Sequence, residues 1–333
     1  MLSRTCAQKG EIPIHKVFLT FDVEDFINDR SVLALNRILT LLEKYDFKAL
    51  FFITGHMAEK LSNSPETLDL LASHEIGYHS SSHSVRPTIF EYTDVPSYKE
   101  AYLKSLKRET SHIDPLSGKV EGKGGIEILK ELFPQKNIAS FRAPGFCWIP
   151  PHFDALVKLG ITFDFSTFVS SEPVYYKNAT FYPYQIQLFA DDFSLRTYRS
   201  LFFYLLKNRV TVMICHPNNL VNQDRWDALY YRGNPTKLLT VKSRTQEQIK
   251  SRFVKFELIL KFFKLLEKNN LIEVTSEMNK SQKHLAASKE VMRKCYDGST
   301  RWASRGFVYK PRFLLYHFFH YFDISRHNPS VFE

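Results

Sequence analysis

Short, continuous apolar runs alternate along the chain with longer segments whose apolar residues recur every three or four positions. The runs at residues 16–22 and 48–54 have the length and the phenylalanine and leucine content of buried strands. Between them, residues 31–45 carry leucine and isoleucine at helical spacing, which predicts an amphipathic helix. The alternation continues with strands predicted over residues 74–79, 137–141, 161–163, 209–215 and 271–274, and helices over 151–159 and 246–268.

Apolar strands that alternate with amphipathic helices are typical of parallel strands joined by helical crossovers, so the pattern predicts an α/β fold. About seven such units occur without a glycine-rich dinucleotide turn, which favours a barrel over an open Rossmann sheet. Two segments interrupt the alternation. Residues 84–136 contain helical patterns near 98–109 and 126–133, and residues 173–197 are rich in tyrosine and phenylalanine. Both insertions are expected to shape a substrate groove.

The composition of the 333 residues, 44% hydrophobic and 15% aromatic, excludes a disordered or fibrous protein. The four cysteines are scattered and form no CxxC pair, so reduced thiols are expected rather than a disulfide framework or a zinc ribbon. Residues 1–15 contain no apolar run that could serve as a signal peptide. Since no apolar stretch is long enough to cross a bilayer either, the sequence predicts a cytoplasmic protein.

The net charge of +10 is concentrated near the end of the chain, because residues 281–333 hold nine Lys and Arg against four acidic residues. We therefore expect a barrel over residues 1–280 and a basic, aromatic-rich extension over residues 281–333. Cations mixed with aromatic side chains suit peripheral contact with the inner face of an anionic membrane. The alternative is a terminal helix that packs on the barrel. No readout motif supports nucleic-acid binding.

Candidate chemistry collects where the predicted strands end, since parallel strands present reactive groups past their carboxyl ends. His79 and His83, four residues apart, can direct two imidazole nitrogens at one metal ion. Taken singly, such residues also suit ordinary roles in core hydrogen bonds, turns or structural ion pairs. His56, after the second strand, is expected to be structural. The remaining polar residues at strand ends are Asp22, Glu24, Asp25, Arg142, Asp164 and His216.

At these positions the chain resembles the polysaccharide deacetylase family, the NodB-homology group of carbohydrate esterases. The most specific likenesses are His79-Ser-Ser-Ser-His83, which resembles the metal-binding HSxxH motif, and Phe141-Arg142-Ala143-Pro144, which resembles the third motif. Three further segments resemble the other motifs of the family: TFDVED at residues 20–25 resembles the first, FDFS at 163–166 the fourth, and ICHP at 214–217 the fifth. All five occur in the order of the family over about residues 16–274.

The resemblance implies a distorted (β/α)7 barrel and the hydrolysis of an N-acetyl group on an amino sugar. It implies that His79 and His83 bind a divalent metal ion, with Zn²⁺ as the expected ion. Many members carry two adjacent aspartates in the first motif, the second of which binds metal. Here Val23 follows Asp22, so Glu24 is the expected third ligand and Asp25 the alternative. By the same resemblance, Asp22 is the general base and Arg142 holds it in place. His216 is the general acid, and Asp164 tunes His216.

The sequence therefore predicts a metal-dependent hydrolase that deacetylates an N-acetylated sugar. The absence of a signal peptide favours a precursor of a cell-surface polysaccharide, O-antigen or glycolipid, linked to lipid or nucleotide, over a finished polymer. This function would place the protein in lipopolysaccharide biosynthesis or a related pathway. Two alternatives remain, namely a metal-independent cyclic-amide hydrolase of the allantoinase type and a catalytically silent carbohydrate-binding protein.

Overall fold

The computed structural model describes residues 14–81, 83, 98–113, 119–146, 150–167, 172–176, 178–183, 186–187, 199, 201–205, 209–224 and 241–282. Its strands are β1 (His15–Val23), β2 (Leu50–Ile53), β3 (Glu75–Tyr78), β4 (His112–Ile113), β5 (Val120–Glu121), β6 (Ser140–Phe141), β7 (Phe163–Thr167), β8 (Val174–Tyr176), β9 (Ala179–Pro183), β10 (Ile186–Gln187), β11 (Val210–Cys215) and β12 (Ile272–Val274). Its helices with described bounds are α1 (Asp29–Lys44), α2 (Gly55–Leu61), α3 (Pro65–Ala72), α4 (Tyr98–Glu109), α5 (Gly125–Leu132), α6 (Pro150–Lys158), α7 (Pro217–Val221) and α8 (Gln246–Lys268).

Ten of these strands form one curled sheet in the order β10-β11-β1-β2-β3-β6-β7-β9-β8, with β12 paired to the start of β1. Neighbouring strands run parallel except at the β8–β9 hairpin, which is antiparallel. Helices α1, α3 and α6 each connect two parallel strands of this sheet. The predicted α/β fold of the distorted (β/α)7 barrel type is therefore confirmed, in the form of a curled half-barrel.

The central strand β1 divides its side chains between two cores, because successive residues of a strand point to opposite faces. Val17, Leu19 and Phe21 pack outward into a large core with apolar residues of α1 and α8. Phe18 packs inward, into a smaller core formed with Leu50, Phe52, Phe165, Tyr182 and Val212. The inward face continues past Phe18 through Thr20 and Asp22, so β1 carries polar groups from the inner core toward its carboxyl end.

Several predicted elements match the structure closely, since strong local signals define them. The helix predicted near residues 98–109 is α4, and the long helix predicted over 246–268 is α8. Helix α8 begins with a capping box, in which Thr245 Oγ1 accepts a hydrogen bond from Gln248 N (3.3 Å) and Gln248 Oε1 accepts one from Thr245 N (3.0 Å). Such a reciprocal pair satisfies two backbone donors that a helix otherwise leaves open.

Three features differ from the predictions. The strand expected over residues 137–141 contracts to β6, because Ala139 N turns back to bond Asn137 O (2.9 Å). The aromatic insertion supplies the β8–β9 hairpin at one edge of the sheet, a feature that its composition did not indicate. Helix α2 follows β2 directly and was not predicted; Thr54 caps it by accepting a hydrogen bond from Met57 N (3.2 Å).

The predicted extension over residues 281–333 lies outside the described residues except for its first two positions. Ser281 still packs on the barrel, where its hydroxyl donates to Pro173 O (2.8 Å) and its N–H donates to Thr180 Oγ1 (3.1 Å). Among the described helices, none combines the length and apolarity that a transmembrane segment requires.

Candidate active site

The carboxyl end of β1 places two carboxylates on the same inner face of the sheet. Asp22 and Glu24 are two residues apart, which is the side-chain period of a strand, and they are only 2% and 3% exposed. The intervening Val23 points the other way and joins the outer apolar core. Burial of two carboxylates side by side is costly unless cations, metal ions or hydrogen-bond donors surround them.

The loop after β3 carries His79 and His83, both about 1% exposed. Two non-glycine residues of this loop have left-handed backbone conformations, Ser80 at φ 67° and His83 at φ 53°. Such conformations cost energy and persist where the surrounding structure imposes them. Here the first turn of α2 holds the loop, because Gly55 N and His56 N donate to Ser80 O and Ser81 O, each at 3.0 Å.

Glu24, His79 and His83 converge on one point. Glu24 Oε2 lies 2.7 Å from His83 Nε2 and 3.5 Å from His79 Nε2. One ligand atom from each of the three residues falls within 4.8 Å of the others. Burial acts to raise the pKa of Glu24, but the charges of His83 and His216 and the contacts with His79 outweigh it and hold that pKa well below its ordinary value.

The chemistry of this donor set fits a divalent metal ion. The backbone carbonyl of Arg142 accepts a hydrogen bond from His79 Nδ1 (2.7 Å), which orients the ring so that Nε2 faces Glu24. That Nε2 atom is buried and forms no hydrogen bond with the described residues. Two imidazoles and one carboxylate are a common protein ligand set for Zn²⁺, which retains an open position for water.

Asp25 has a different role in the structure. Its Oδ1 atom accepts hydrogen bonds from Ile27 N (3.2 Å) and Asn28 N (3.0 Å), and its Oδ2 atom accepts one from Ser31 Oγ (2.5 Å) and one from Asn222 Nδ2 (3.3 Å). These donors belong to the turn that begins α1 and to the end of α7. Asp25 therefore stabilises the turn after the first motif, while Glu24 faces the two histidines.

Arg142 follows β6 and is completely buried against the barrel interior. Its guanidinium donates to Asp22 Oδ1 (2.6 Å), to Thr20 Oγ1 (2.8 Å) and to Phe165 O (3.2 Å). The same group stacks 4.4 Å from the centre of the Phe52 ring. Since every contact is desolvated, Arg142 both neutralises Asp22 and fixes the orientation of its carboxylate.

His216 follows β11, on the opposite side of β1 from the histidine loop. Its Nε2 atom lies 3.5 Å from Asp22 Oδ2 and 4.0 Å from Glu24 Oε2. The side chain is 18% exposed, whereas the two carboxylates are almost fully enclosed. His216 is thus the most exposed side chain of this group.

Asp164, expected to tune His216, forms its hydrogen bonds with Ser166 instead. It accepts from Ser166 N and Ser166 Oγ, each at 2.9 Å. Ser166 Oγ in turn accepts from Ala143 N (2.8 Å), next to Arg142. Complete burial raises the pKa of Asp164 to about 7, although the Ser166 hydrogen bonds and the charge of Arg142 oppose the shift. In this structure Asp164 supports the backbone that carries Arg142.

Two residues of this network were not singled out from the sequence. Thr20 accepts from Arg142 and also donates to Met213 O (2.6 Å), which links β1 to β11, and Ser166 joins Asp164 to Ala143. The period of two along β1 could have pointed to Thr20, because it lies two residues before Asp22. Ser166 carried no local signal beyond its spacing from Asp164.

A protein-family model matches the part of the chain that carries most of this site. The family model is described as "Polysaccharide deacetylase", and it matches residues 9–163. The matched part of the chain resembles the polysaccharide deacetylase family. It contains the first three of the five motifs, with the carboxylates of β1, the histidine loop and Arg142.

Solved structures of deacetylases match the chain at low sequence identity, each with a TM-score below 0.5. A Mycobacterium smegmatis protein assigned as a polysaccharide deacetylase is 15% identical, with a TM-score of 0.44, over 80% of this chain and 94% of that one. A family 4 carbohydrate esterase from Bacillus anthracis is 16% identical, with a TM-score of 0.37, over 80% and 82%. The catalytic domain of a peptidoglycan N-acetylglucosamine deacetylase from Eubacterium rectale is 14% identical, with a TM-score of 0.40, over 84% and 96%. No curated protein sequence matches the chain.

Proposed function

We propose that this protein is a metal-dependent hydrolase of the polysaccharide deacetylase family that removes the N-acetyl group from an amino sugar. The observation that carries the proposal is the convergence of Glu24, His79 and His83. A second carboxylate, Asp22, lies beside them outside this ligand set and can therefore accept a proton. A divalent ion bound by the three groups, Zn²⁺ in our expectation, would supply Lewis acidity to a water molecule and to an acyl oxygen.

Asp22 is the proposed general base. Its Oδ1 atom accepts a hydrogen bond from Arg142, while Oδ2 lies on the side of His216, 3.5 Å from the Nε2 atom of that residue. The buried guanidinium also fixes the orientation of this carboxylate, because it donates to Oδ1 at 2.6 Å. Asp22 would take a proton from the water molecule as its oxygen attacks the acetyl carbon.

His216 is the proposed general acid. An amine leaves an acyl carbon only when its nitrogen is protonated, so the site needs a donor on the leaving-group side. His216 lies beside Asp22 and Glu24 and is partly exposed, so it can deliver a proton to a bound sugar and recover one from solvent. The backbone N–H of Gly145, in the 3₁₀ turn Pro144–Phe146, is the proposed donor to the developing oxyanion.

We further propose that the amino sugar belongs to a precursor of a cell-surface polysaccharide, O-antigen or glycolipid, carried on lipid or nucleotide. The support is the composition of residues 281–333, where clustered cations and aromatic side chains suit the surface of an anionic membrane. The extension would hold the barrel at the membrane surface where lipid-linked sugars are present.

Replacement of Asp22 tests the catalytic assignment. Asp22→Asn should reduce acetate release from an N-acetyl sugar by at least about 1,000-fold, while metal content measured by elemental analysis stays at the wild-type level. Asp29→Asn is the matched control, because Asp29 is an exposed aspartate paired with Lys60 (2.7 Å) at the start of α1. Turnover that survives in Asp22→Asn would show that another group is the base.

Substrate class is tested by acetate release from three panels of N-acetyl sugars: nucleotide-linked, lipid-linked and polymeric. The proposal expects turnover of the first or second panel and none of the third. A flotation assay with anionic vesicles, comparing the full chain with one that ends at Lys280, tests the membrane contact separately. Equal flotation of the two chains would contradict a role for the extension.

The two alternatives predict different results in the same assays. Activity that persists after chelation, on a cyclic amide, would favour the metal-independent hydrolase. Binding of sugars without acetate release in any panel would favour the catalytically silent protein.

A further inference from the structure

A second group of potential metal ligands lies outside the proposed active site. His56 and Glu59 occupy one face of α2, three residues apart, and His112 approaches them from β4. One donor atom from each of the three residues lies within 4.8 Å of the others. Among the described residues, this set and Glu24/His79/His83 are the only groups of His, Cys, Asp or Glu that meet this condition.

The geometry places the carboxylate between the two imidazoles. Glu59 Oε2 lies 3.1 Å from His56 Nδ1, and Glu59 Oε1 lies 2.8 Å from His112 Nδ1. The two rings are nearly perpendicular at 83°, with centres 5.0 Å apart. Three ligands at about 2.1 Å from a tetrahedral ion are about 3.4 Å from each other, so small side-chain shifts would make room for the ion.

The site is anchored on one side and open on the other. His56 is 6% exposed, and its ring packs 5.0 Å from the ring of Phe26. Its Nε2 atom is buried and forms no hydrogen bond with the described residues, so only Nδ1 is in use. The side chains of Glu59 and His112 are 40% and 27% exposed, which leaves a path for an ion from solvent.

We propose that His56, Glu59 and His112 form a second divalent-metal site that clamps the β4–β5 hairpin to α2. Two imidazoles and a carboxylate select a borderline transition-metal ion such as Zn²⁺ rather than Mg²⁺ or Ca²⁺, which prefer oxygen ligands. In the metal-free state the two Nδ1 atoms donate hydrogen bonds to Glu59. On metal binding the Nδ1 proton leaves each ring, and each imidazole binds the ion as the neutral tautomer with its proton on Nε2. The remaining coordination position is open to water.

The second site lies next to the loop that carries His79 and His83, so an ion bound there would affect the proposed active site. The N–H groups of Gly55 and His56, in the first turn of α2, hold the carbonyls of Ser80 and Ser81 in the loop between the two active-site histidines. The hairpin belongs to the insertion expected to line the substrate groove. An ion at the second site therefore fixes the position of the insertion relative to the histidine loop.

Metal stoichiometry tests the proposal without any measurement of turnover. Metal-free full-length protein is titrated with Co²⁺, which serves as a spectroscopic probe, and binding is followed by calorimetry and by visible absorption. Wild type should bind two equivalents. Glu59→Gln should bind one, with affinity at the second site lowered at least about 100-fold, since loss of outer-shell partners alone costs 10–100-fold.

The variant Glu24→Gln should also bind one equivalent, at the second site, and the double variant should bind none with comparable affinity. Failure at the active site and failure at the second site are thereby distinguishable. His112→Asn should reproduce Glu59→Gln, and because both side chains are partly exposed, folding is checked by circular dichroism. Glu131→Gln, at an exposed ion pair with Lys123 (2.5 Å), is the control and should bind two equivalents. Two equivalents retained in Glu59→Gln, or none in Glu24→Gln, would overturn the proposal.

Discussion

The backbone carbonyl of Arg142 accepts a hydrogen bond from His79 Nδ1 at 2.7 Å, so one residue links the two halves of the proposed site. The side chain of Arg142 points the other way and binds Asp22 at 2.6 Å. The proposed metal ligand and the proposed base are therefore positioned by the same buried residue, one through the backbone and the other through the guanidinium. This division allows the two functions to be separated by mutation.

Arg142→Lys should impair the base more than the metal site. Lysine keeps a positive charge near Asp22 but cannot donate at the same time to Thr20 and Phe165, so the Asp22 carboxylate loses its fixed orientation. We expect acetate release to fall about 100-fold, the scale of a small misplacement of a catalytic group. Metal content should remain near the wild-type value, because the backbone carbonyl is unchanged.

Arg37→Lys is the matched control for this change, since Arg37 is an exposed arginine over the Phe253 ring (4.0 Å). It should have little effect on either measurement. A parallel loss of metal and turnover in Arg142→Lys would mean that the side chain, and not the carbonyl, maintains the metal site.

Glu24 and Asp25 should give opposite results when each is replaced by its amide. Glu24→Gln removes a charged ligand, so metal affinity in a chelator competition should fall at least about 100-fold with little change in the free energy of unfolding. Asp25→Asn keeps one acceptor but directs an NH₂ group at the donors Ser31 and Asn222. Its metal affinity should be unchanged, while the free energy of unfolding falls by about 1–2 kcal/mol. The reverse pattern would make Asp25 the ligand.

Asp164 should make stability depend on pH in a defined direction. Its folded-state pKa of about 7 lies above the ordinary value of 3.8, so the folded protein binds an extra proton between these values. The stabilising contribution of the protonated group is therefore fully present below pH 3.8 and is lost as pH rises through 7. At about 1.4 kcal/mol per pH unit, the loss is at most about 4 kcal/mol.

The change is measured by denaturant unfolding of wild type and Asp164→Asn at a series of pH values. Because asparagine does not titrate, the difference between the two proteins isolates the contribution of Asp164 from that of the histidines. Wild type should lose stability relative to the variant as pH rises from 4 to 8. Parallel curves over this range would mean that Asp164 is ionised in the folded protein at all these pH values.

Gly55→Ala should disturb the histidine loop through the backbone. A Cβ atom at Gly55 would lie 2.7 Å from Gly125 Cα and 3.0 Å from Ser81 O, and neither backbone atom can move aside independently. We expect the free energy of unfolding to fall by about 1–3 kcal/mol, as in other overpacked sites, together with weaker metal binding. Ser73→Ala, at the exposed end of α3, is the control and should change stability by less than about 0.5 kcal/mol.

Much of the fold was predictable from local patterns. Continuous apolar strands such as β1, β2 and β11 and amphipathic helices such as α1 and α8 have periods that depend only on neighbouring residues. The parts that were missed depend on partners distant in sequence. Strand β6 is only two residues long because the chain turns at Ala139, and the β8–β9 hairpin exists because β7 offers an edge for pairing.

The sequence by itself determined which strand ends carry reactive groups, since residue types and spacing suffice to predict that Asp22, His79, Arg142 and His216 lie at the ends of separate strands of one sheet. Only the tertiary structure decided how these groups are divided among partners. Glu24 and Asp25 are adjacent and directly follow β1; the first faces His79 and His83, and the second faces the turn that begins α1. Likewise, His56 and His112 are 56 residues apart and meet only because a hairpin folds over α2. Distances across the fold are set by packing, which no local pattern records.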